Sequence, residues 1–316
     1  MQTEFDPKAH NPQFHKGMLK PTYWGTWLNV LLLVLISLLP YFVRRTLVSV
    51  LARVALKINS KANKRARVNL SMCFPEKSQA EREAILLKSL LVGGNYLLAF
   101  PRLSLHDNNW LEKYTNIVGL NNLTQYTDNK ENVILLIPHT WALDIPGAIF
   151  ASRQIPTTAM AKKQKNEVMD WLINRQRIRY GGYVYERSQG IKPFLRSIKQ
   201  GYLGCYLPDE DLGAENSVFV DFFATQKATI KGLGKLSKLT KAKVVPVFSM
   251  FNLATGQFEL DILPALTPFP NDSEEQDARM MNACIENYVN EHPEQYMWIL
   301  RLLKTRPNNG ENPYNQ

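Results

Sequence analysis

Between Asp6 and Glu76 the chain has no acidic residue, and from Pro21 to Val43 it has no charge of either sign. The first absence argues against a solvated, charge-balanced N-terminal region. The second argues against an ordinary surface loop. Cysteine is also scarce. Cys73, Cys205 and Cys284 are odd in number, widely spaced and without a CxxC pair. A disulfide framework or a structural zinc site is therefore not expected, and the chain suits a reducing compartment. A G-x-S-x-G elbow is missing, so a serine hydrolase is not supported. There is no internal repeat, long linker or low-complexity tract, and the part after the apolar stretch reads as one domain. No nucleic-acid-binding signature occurs, and the basic segment lacks the interleaved aromatics of a base-stacking platform.

What is present starts with size and charge. The 316 residues, 45% apolar and 21% charged, can bury a substantial core. Lys and Arg total 38 against 28 acidic residues, a formal charge of +10. Arg44, Arg45, Arg53, Lys57, Lys61, Lys64, Arg65 and Arg67 follow directly on the uncharged stretch. A polybasic segment beside an apolar one suits an anionic lipid surface, and nucleic acid is not the expected partner. The stretch itself, 21–43, has an apolar centre from Val30 to Leu39 and flanking Tyr23, Trp24, Trp27 and Tyr41. It reads as a membrane-anchoring helix with interfacial aromatics. The heavier positive flank is C-terminal, which places the rest of the chain on the cytoplasmic face. A helix lying in the interface or buried in the protein is the alternative, because Pro40 interrupts the run. About 20 residues precede it and no A-x-A site follows, which speaks against a cleaved signal peptide.

Beyond the anchor, residues 46–72 read as one helix, and Ser78-Gln-Ala-Glu81 is a capping box opening another to about Phe100. Asn132 to Ile137 is a continuous apolar run, as in a strand buried on both faces. Further strands are expected at 183–185, 203–207, 244–248 and 258–262. Helices are expected over 144–153, 166–179, 190–199, 229–239 and 273–290. This alternation predicts an α/β fold, with a mixed, largely parallel sheet flanked by helices.

Of five histidines, His139 stands out, because it follows the strand at 133–137 after a proline. In open α/β sheets ligands bind beyond the carboxyl ends of strands. Asp144 lies five positions later, where a helix begins. The reading is a base and its orienter: the carboxylate fixes one ring nitrogen, and the other takes a proton from an attacking hydroxyl. The nucleophile then belongs to the substrate. The bland alternative is a histidine capping a turn. Pro208-Asp-Glu-Asp211 follows another apolar run. Its carboxylates could hold Mg²⁺ or, as preferred here, orient basic side chains. From Lys162 to Lys199 there are ten basic and three acidic residues. Most suit solvated helix faces, but Arg187 follows a strand end, where a guanidinium can hold a phosphate. The substrate-binding candidates are Arg177, Arg187, Asp209 and Asp211; no metal or cofactor is expected.

Several motifs together carry a resemblance: Asn69 to Glu76, Pro138-His-Thr-Trp-Ala-Leu-Asp-Ile-Pro146, Tyr206 to Asp211, Phe219-Val-Asp-Phe-Phe-Ala224, and Pro293 to Leu300 with Lys304-Thr-Arg306. The chain resembles the late acyltransferases of bacterial lipid A biosynthesis, the myristoyltransferase type in particular, within the wider glycerolipid acyltransferase group. The resemblance implies an acyl carrier protein as acyl donor, delivering a chain of about lauroyl or myristoyl length. It implies a Kdo-lipid A precursor as acceptor and a place at the inner membrane. It implies that His139 and Asp144 are the catalytic pair and that Arg187 is the group's second-block arginine. Pro208 to Asp211 departs from the group's usual Pro-Glu-Gly block, and Val244-Val-Pro-Val247 matches the fourth block. The expected organisation is a polar tail (1–20), an anchor (21–43), an acyltransferase domain (44–306) and a loose end (307–316). Glycerophospholipid acylation, thioester hydrolysis and non-catalytic membrane binding are the competing readings.

Overall fold

A computed structural model describes residues 6–315 of the protein. The uncharged stretch does not form one helix. It forms α1 (Trp24–Ser37) and the start of α2 (Tyr41–Lys57), with Pro40 between them in extended conformation. Proline has no N–H to continue the ladder, so the chain restarts there. The single helix expected over 46–72 is likewise two. Ser60 caps α3 (Lys61–Cys73) by accepting from the Asn63 N–H. The capping box at Ser78 and Glu81 is formed and opens α4 (Gln79–Ala99). Among the described residues, only Gln79–Leu105 is long and apolar enough to cross a membrane, and half of it is buried. It packs against α2 and α3 as a core helix.

Two short helices, α5 (Arg102–Leu105) and α6 (Asn108–Lys113), lead to β1 (Thr115–Val118), α7 (Asn121–Thr127) and β2 (Val133–Leu136). Then follow α8 (Ile145–Ser152), β3 (Thr157–Ala161), α9 (Glu167–Ile178), β4 (Gly182–Glu186), α10 (Lys192–Lys199) and β5 (Leu203–Tyr206). A hairpin, β6 (Ser217–Phe222) with β7 (Thr225–Ile230), precedes α11 (Leu233–Thr240), β8 (Lys243–Phe251), β9 (Phe258–Ile262) and α12 (Glu274–Glu291). The helix expected to begin at Thr229 therefore begins later. Thr229 pairs with Val218 in the hairpin, and Gly232 at φ +111° turns the chain into α11.

The main sheet has the order β1-β9-β8-β2-β5-β3-β4. All its pairings are parallel except β8 with β9. The fold is α/β with a mostly parallel sheet between helices. β2 is buried on both faces, and its residues alternate between two cores. Ile134 and Leu136 join Phe194, Ile198, Met281 and Trp298 on one side. Val133, Leu135 and Ile137 join Val92, Ile149 and Phe150 on the other. This is why the run at 133–137 is apolar throughout and does not alternate.

The expected polar tail 1–20 lies partly outside the described residues, but from Asp6 onward it is docked on the domain. The His10 N–H donates to the Val184 carbonyl at 2.7 Å. The end expected to be loose is tied down as well. The Tyr314 hydroxyl donates to Asn69 Oδ1 at 2.5 Å and accepts the Leu303 N–H at 2.9 Å.

Candidate active site

β2 and β5 are parallel neighbours, so they leave the sheet at the same edge. The Ile137 N–H donates to the Tyr206 carbonyl at 2.9 Å, the last link before the strands part. Each strand then exits through a proline, into Pro138-His139 and Pro208-Asp209. His139 Nδ1 lies 2.5 Å from Asp209 Oδ1, and the His139 backbone N–H donates to Asp209 Oδ2 at 2.7 Å. Asp209 is 2% exposed and His139 9%. Burial pushes the Asp209 carboxyl up, but the His139 ring, its N–H and the Tyr296 hydroxyl outweigh this and hold it below the usual carboxylate range. An ionised carboxylate only accepts, so Nδ1 is the donor and Nε2 carries the lone pair. Burial pulls the imidazole down, while the Asp209 and Glu210 charges outweigh it and raise it above its ordinary value.

The loop carrying His139 is clamped from two sides. Its carbonyl accepts the Met297 N–H at 2.9 Å, and the Trp141 N–H donates to the Gln295 carbonyl at 3.0 Å. The Trp141 indole donates to Ser89 on α4 at 2.9 Å, and Thr140 bonds Ser249 on β8. A Cβ at Gly93 would lie 2.8 Å from the Trp141 ring, so only glycine lets α4 approach this closely. The imidazole is thus held on a rigid frame.

The orienter expected from the sequence is corrected here: the carboxylate on His139 is Asp209, not Asp144. Asp144 stands at the start of α8 and bonds a cation from α9, accepting from Arg177 Nε at 2.7 Å. The Asp144 charge, first of all, raises the Arg177 guanidinium above its ordinary value, against the burial that lowers it. The carboxylates of 209–211 go to three different partners. Asp209 takes His139. Glu210 accepts from Arg187 and sits 3.8 Å from His139 Nε2. Asp211 accepts the Thr305 N–H at 2.6 Å and its hydroxyl at 2.8 Å. They do not converge as a metal-binding group, and Asp211 ties the C-terminal Lys304-Thr-Arg306 segment to the domain. Asp209 and Asp211, read as substrate-binding, are therefore placed otherwise. One orients the imidazole, and the other lies outside the cavity wall. Arg177 and Arg187 both reach it.

That cavity has a volume of about 530 Å³. His139, Asp144, Arg177, Arg187 and Glu210 line it together with Lys162, Gln164 and Gln176, and Ile137, Leu143, Ala148, Ala159, Val184 and Leu207 give apolar wall. Cys205 also lines it, and burial pushes its thiol up to about 12, away from the thiolate form a nucleophile needs. The arrangement supplies a ring nitrogen with a free lone pair, fixed cations and a cavity with apolar wall.

Three contributors escaped the sequence reading. Glu210 was seen only as part of an acidic cluster. Tyr296 packs beside Asp209 from a distant segment. Lys227 is fully buried on β7, and its ammonium makes no hydrogen bond. Burial pulls Lys227 down, and the nearby Asp209 and Asp211 charges partly offset this. The paired strand–proline exits were a usable signal for Asp209, but only the strand order shows that they are adjacent.

The family described as bacterial lipid A biosynthesis acyltransferase matches residues 11–305. A lipid A biosynthesis acyltransferase of Haemophilus influenzae is 40% identical over 97% of this chain and 95% of its own length. The lipid A biosynthesis myristoyltransferase of Escherichia coli K12 is 39% identical over 99% of this chain and 97% of its own. The lauroyltransferase of the same organism is 31% identical over 94% of this chain and 96% of its own.

Proposed function

The chain belongs to the bacterial lipid A biosynthesis acyltransferase family, and from that premise we propose that it acylates a hydroxyl of a Kdo-lipid A precursor by direct, base-assisted transfer from an acyl carrier protein. It is an acyltransferase enzyme. His139 Nε2 takes the proton of the acceptor hydroxyl, on a 3-hydroxyacyl chain of the precursor. The hydroxyl oxygen attacks the donor thioester carbonyl. Arg177, steadied by Asp144, offers N–H donors to the developing oxyanion. The tetrahedral adduct collapses, the C–S bond breaks, and the imidazolium returns its proton to the leaving thiolate. Asp209 stays ionised throughout and stabilises the imidazolium.

Two further parts of the reading follow from charge and shape. Arg187 and the basic 162–199 region suit the precursor's phosphates and an acidic carrier protein. The apolar chamber suits a donor chain of about lauroyl or myristoyl length, at the cytoplasmic face of the inner membrane. The observation that carries the proposal is the His139–Asp209 pair, with the imidazole lining a cavity that has both cationic and apolar wall.

The test is mass spectrometry of products from purified enzyme, a defined precursor and acyl carrier proteins of several chain lengths. The expected product is the precursor heavier by one acyl group, with turnover reduced at least ~100-fold in His139→Ala. Free fatty acid without acylated lipid would point to thioester hydrolysis, and full activity of His139→Ala would remove the base.

A further inference from the structure

The apolar stretch near the N-terminus carries an inference about topology, because the chain on both sides of it is bound to the same domain. Before α1, His10 Nε2 meets Asp170 Oδ2 on α9 at 2.8 Å, and its backbone pairs with β4 at Val184. The Asn174 amide donates to the His10 carbonyl at 2.9 Å. Asp6 accepts from Arg196 at 2.5 Å and from the Tyr185 hydroxyl at 2.9 Å. The Phe14 ring lies 5.3 Å from that of Trp171. After α1, the Tyr41 hydroxyl donates to the Leu253 carbonyl at 2.8 Å. A helix that crossed a bilayer would put residues 6–20 on the opposite side from α9 and β4, and the contacts of Asp6, His10 and Phe14 could not form.

The helix is also short. Its 14 residues extend ~21 Å at ~1.5 Å per residue, against a hydrocarbon layer of ~30 Å. One side of α1 packs on α4 and α9, with Trp27 against Trp171 and Thr26 accepting from Asn166. The other side faces outward as a stripe. Leu28, Leu31, Leu35 and Leu38 follow the helical spacing of three and four, and all are more than half exposed. Phe42 is 71% exposed, and Val54 continues the outward face on α2. Exposed Lys16 and Lys20 flank this apolar face on one side and Arg45, Arg53, Lys57 and Lys61 on the other. Cations around an apolar stripe match a leaflet with anionic headgroups.

We propose that α1 does not span the membrane: its leucine stripe lies in the hydrocarbon of the one leaflet that the domain faces, and both of its ends remain on the domain's side. The catalytic domain then rests on the bilayer with α1 and α2 as its floor. This rests on the membrane setting proposed above but not on the reaction, since its tests read topology and binding alone.

Two experiments on the full chain decide it. Gln13→Cys and Glu311→Cys, both at exposed positions, are treated separately with an impermeant maleimide in spheroplasts and in inside-out vesicles, with the unsubstituted chain as background control. Both cysteines are expected to label from the same face. Labelling from opposite faces overturns the proposal. In the second experiment, purified Leu31→Glu/Leu35→Glu is floated with phosphatidylglycerol vesicles, with circular dichroism and Tm confirming the fold. Its bound fraction is expected to fall at least ~10-fold, and undiminished binding overturns the stripe as the lipid contact. Loss of acyl transfer would appear only in the product assay.

Discussion

His139 and Asp209 are 70 positions apart in the chain and 2.5 Å apart in space. The link is the parallel pairing of β2 with β5, which brings two strand exits to one edge of the sheet. Asp209 holds the residue twice, through the ring and through the backbone N–H. Both the tautomer and the direction of Nε2 are thereby fixed before substrate arrives.

Asp209→Asn keeps the shape but can present an amide N–H to Nδ1, which favours the wrong tautomer. Turnover is expected to fall on the order of 10³–10⁴-fold, with the effect in kcat rather than KM. Steady-state kinetics of this variant check it, with circular dichroism to establish folding.

The Asp144–Arg177 pair is expected to act as one unit. Asp144→Ala leaves Arg177 without its anchor, and Arg177→Ala leaves a carboxylate facing the cavity. Each single change is expected to lower kcat on the order of 10²-fold. The double variant is expected to be little worse than either one, a coupling of about 2–3 kcal/mol. A double-mutant cycle on kcat measures this, and simple additivity would separate the two residues.

Lys227→Met removes a buried ammonium that has no hydrogen-bond partner. The Tm is expected to stay level or rise, because an interior ammonium that makes no hydrogen bond costs stability and methionine fills similar volume. Activity is expected to fall by about 10-fold, because Asp209 loses a positive neighbour that helps keep it ionised. Calorimetry and kcat on the same preparation would show stability and activity moving apart.

Local pattern carried much of the architecture. The unbroken apolar run at 133–137 announced a strand buried on both faces, and the capping box at Ser78 announced α4. Elements with mixed composition did not show. β1 and β3 carry threonine and asparagine in four- and five-residue strands, too short and polar for periodicity to register. Lys227 sits in a strand whose interior position comes from the hairpin packing on α12, which no local pattern encodes. At the site, His139 was legible from its place after a strand and a proline. Its partner was not. Asp144 was near in sequence, while Asp209 became near only through strand order, a non-local property. The same holds for the N-terminal stretch: composition showed an apolar helix, but its orientation depends on the docking of His10 and Asp6 on distant elements.

The pH dependence of kcat/KM for wild type, Asp209→Asn and Asp144→Asn tests the His139–Asp209 assignment most directly. His139 must be neutral to act as a base, so activity rises with pH through its pKa, which the Asp209 and Glu210 charges hold above the ordinary 6.5. Removing the Asp209 charge leaves burial dominant, so the acid limb of Asp209→Asn is expected to move to lower pH while that of Asp144→Asn stays with wild type. A limb that moves in Asp144→Asn and not in Asp209→Asn would contradict the assignment.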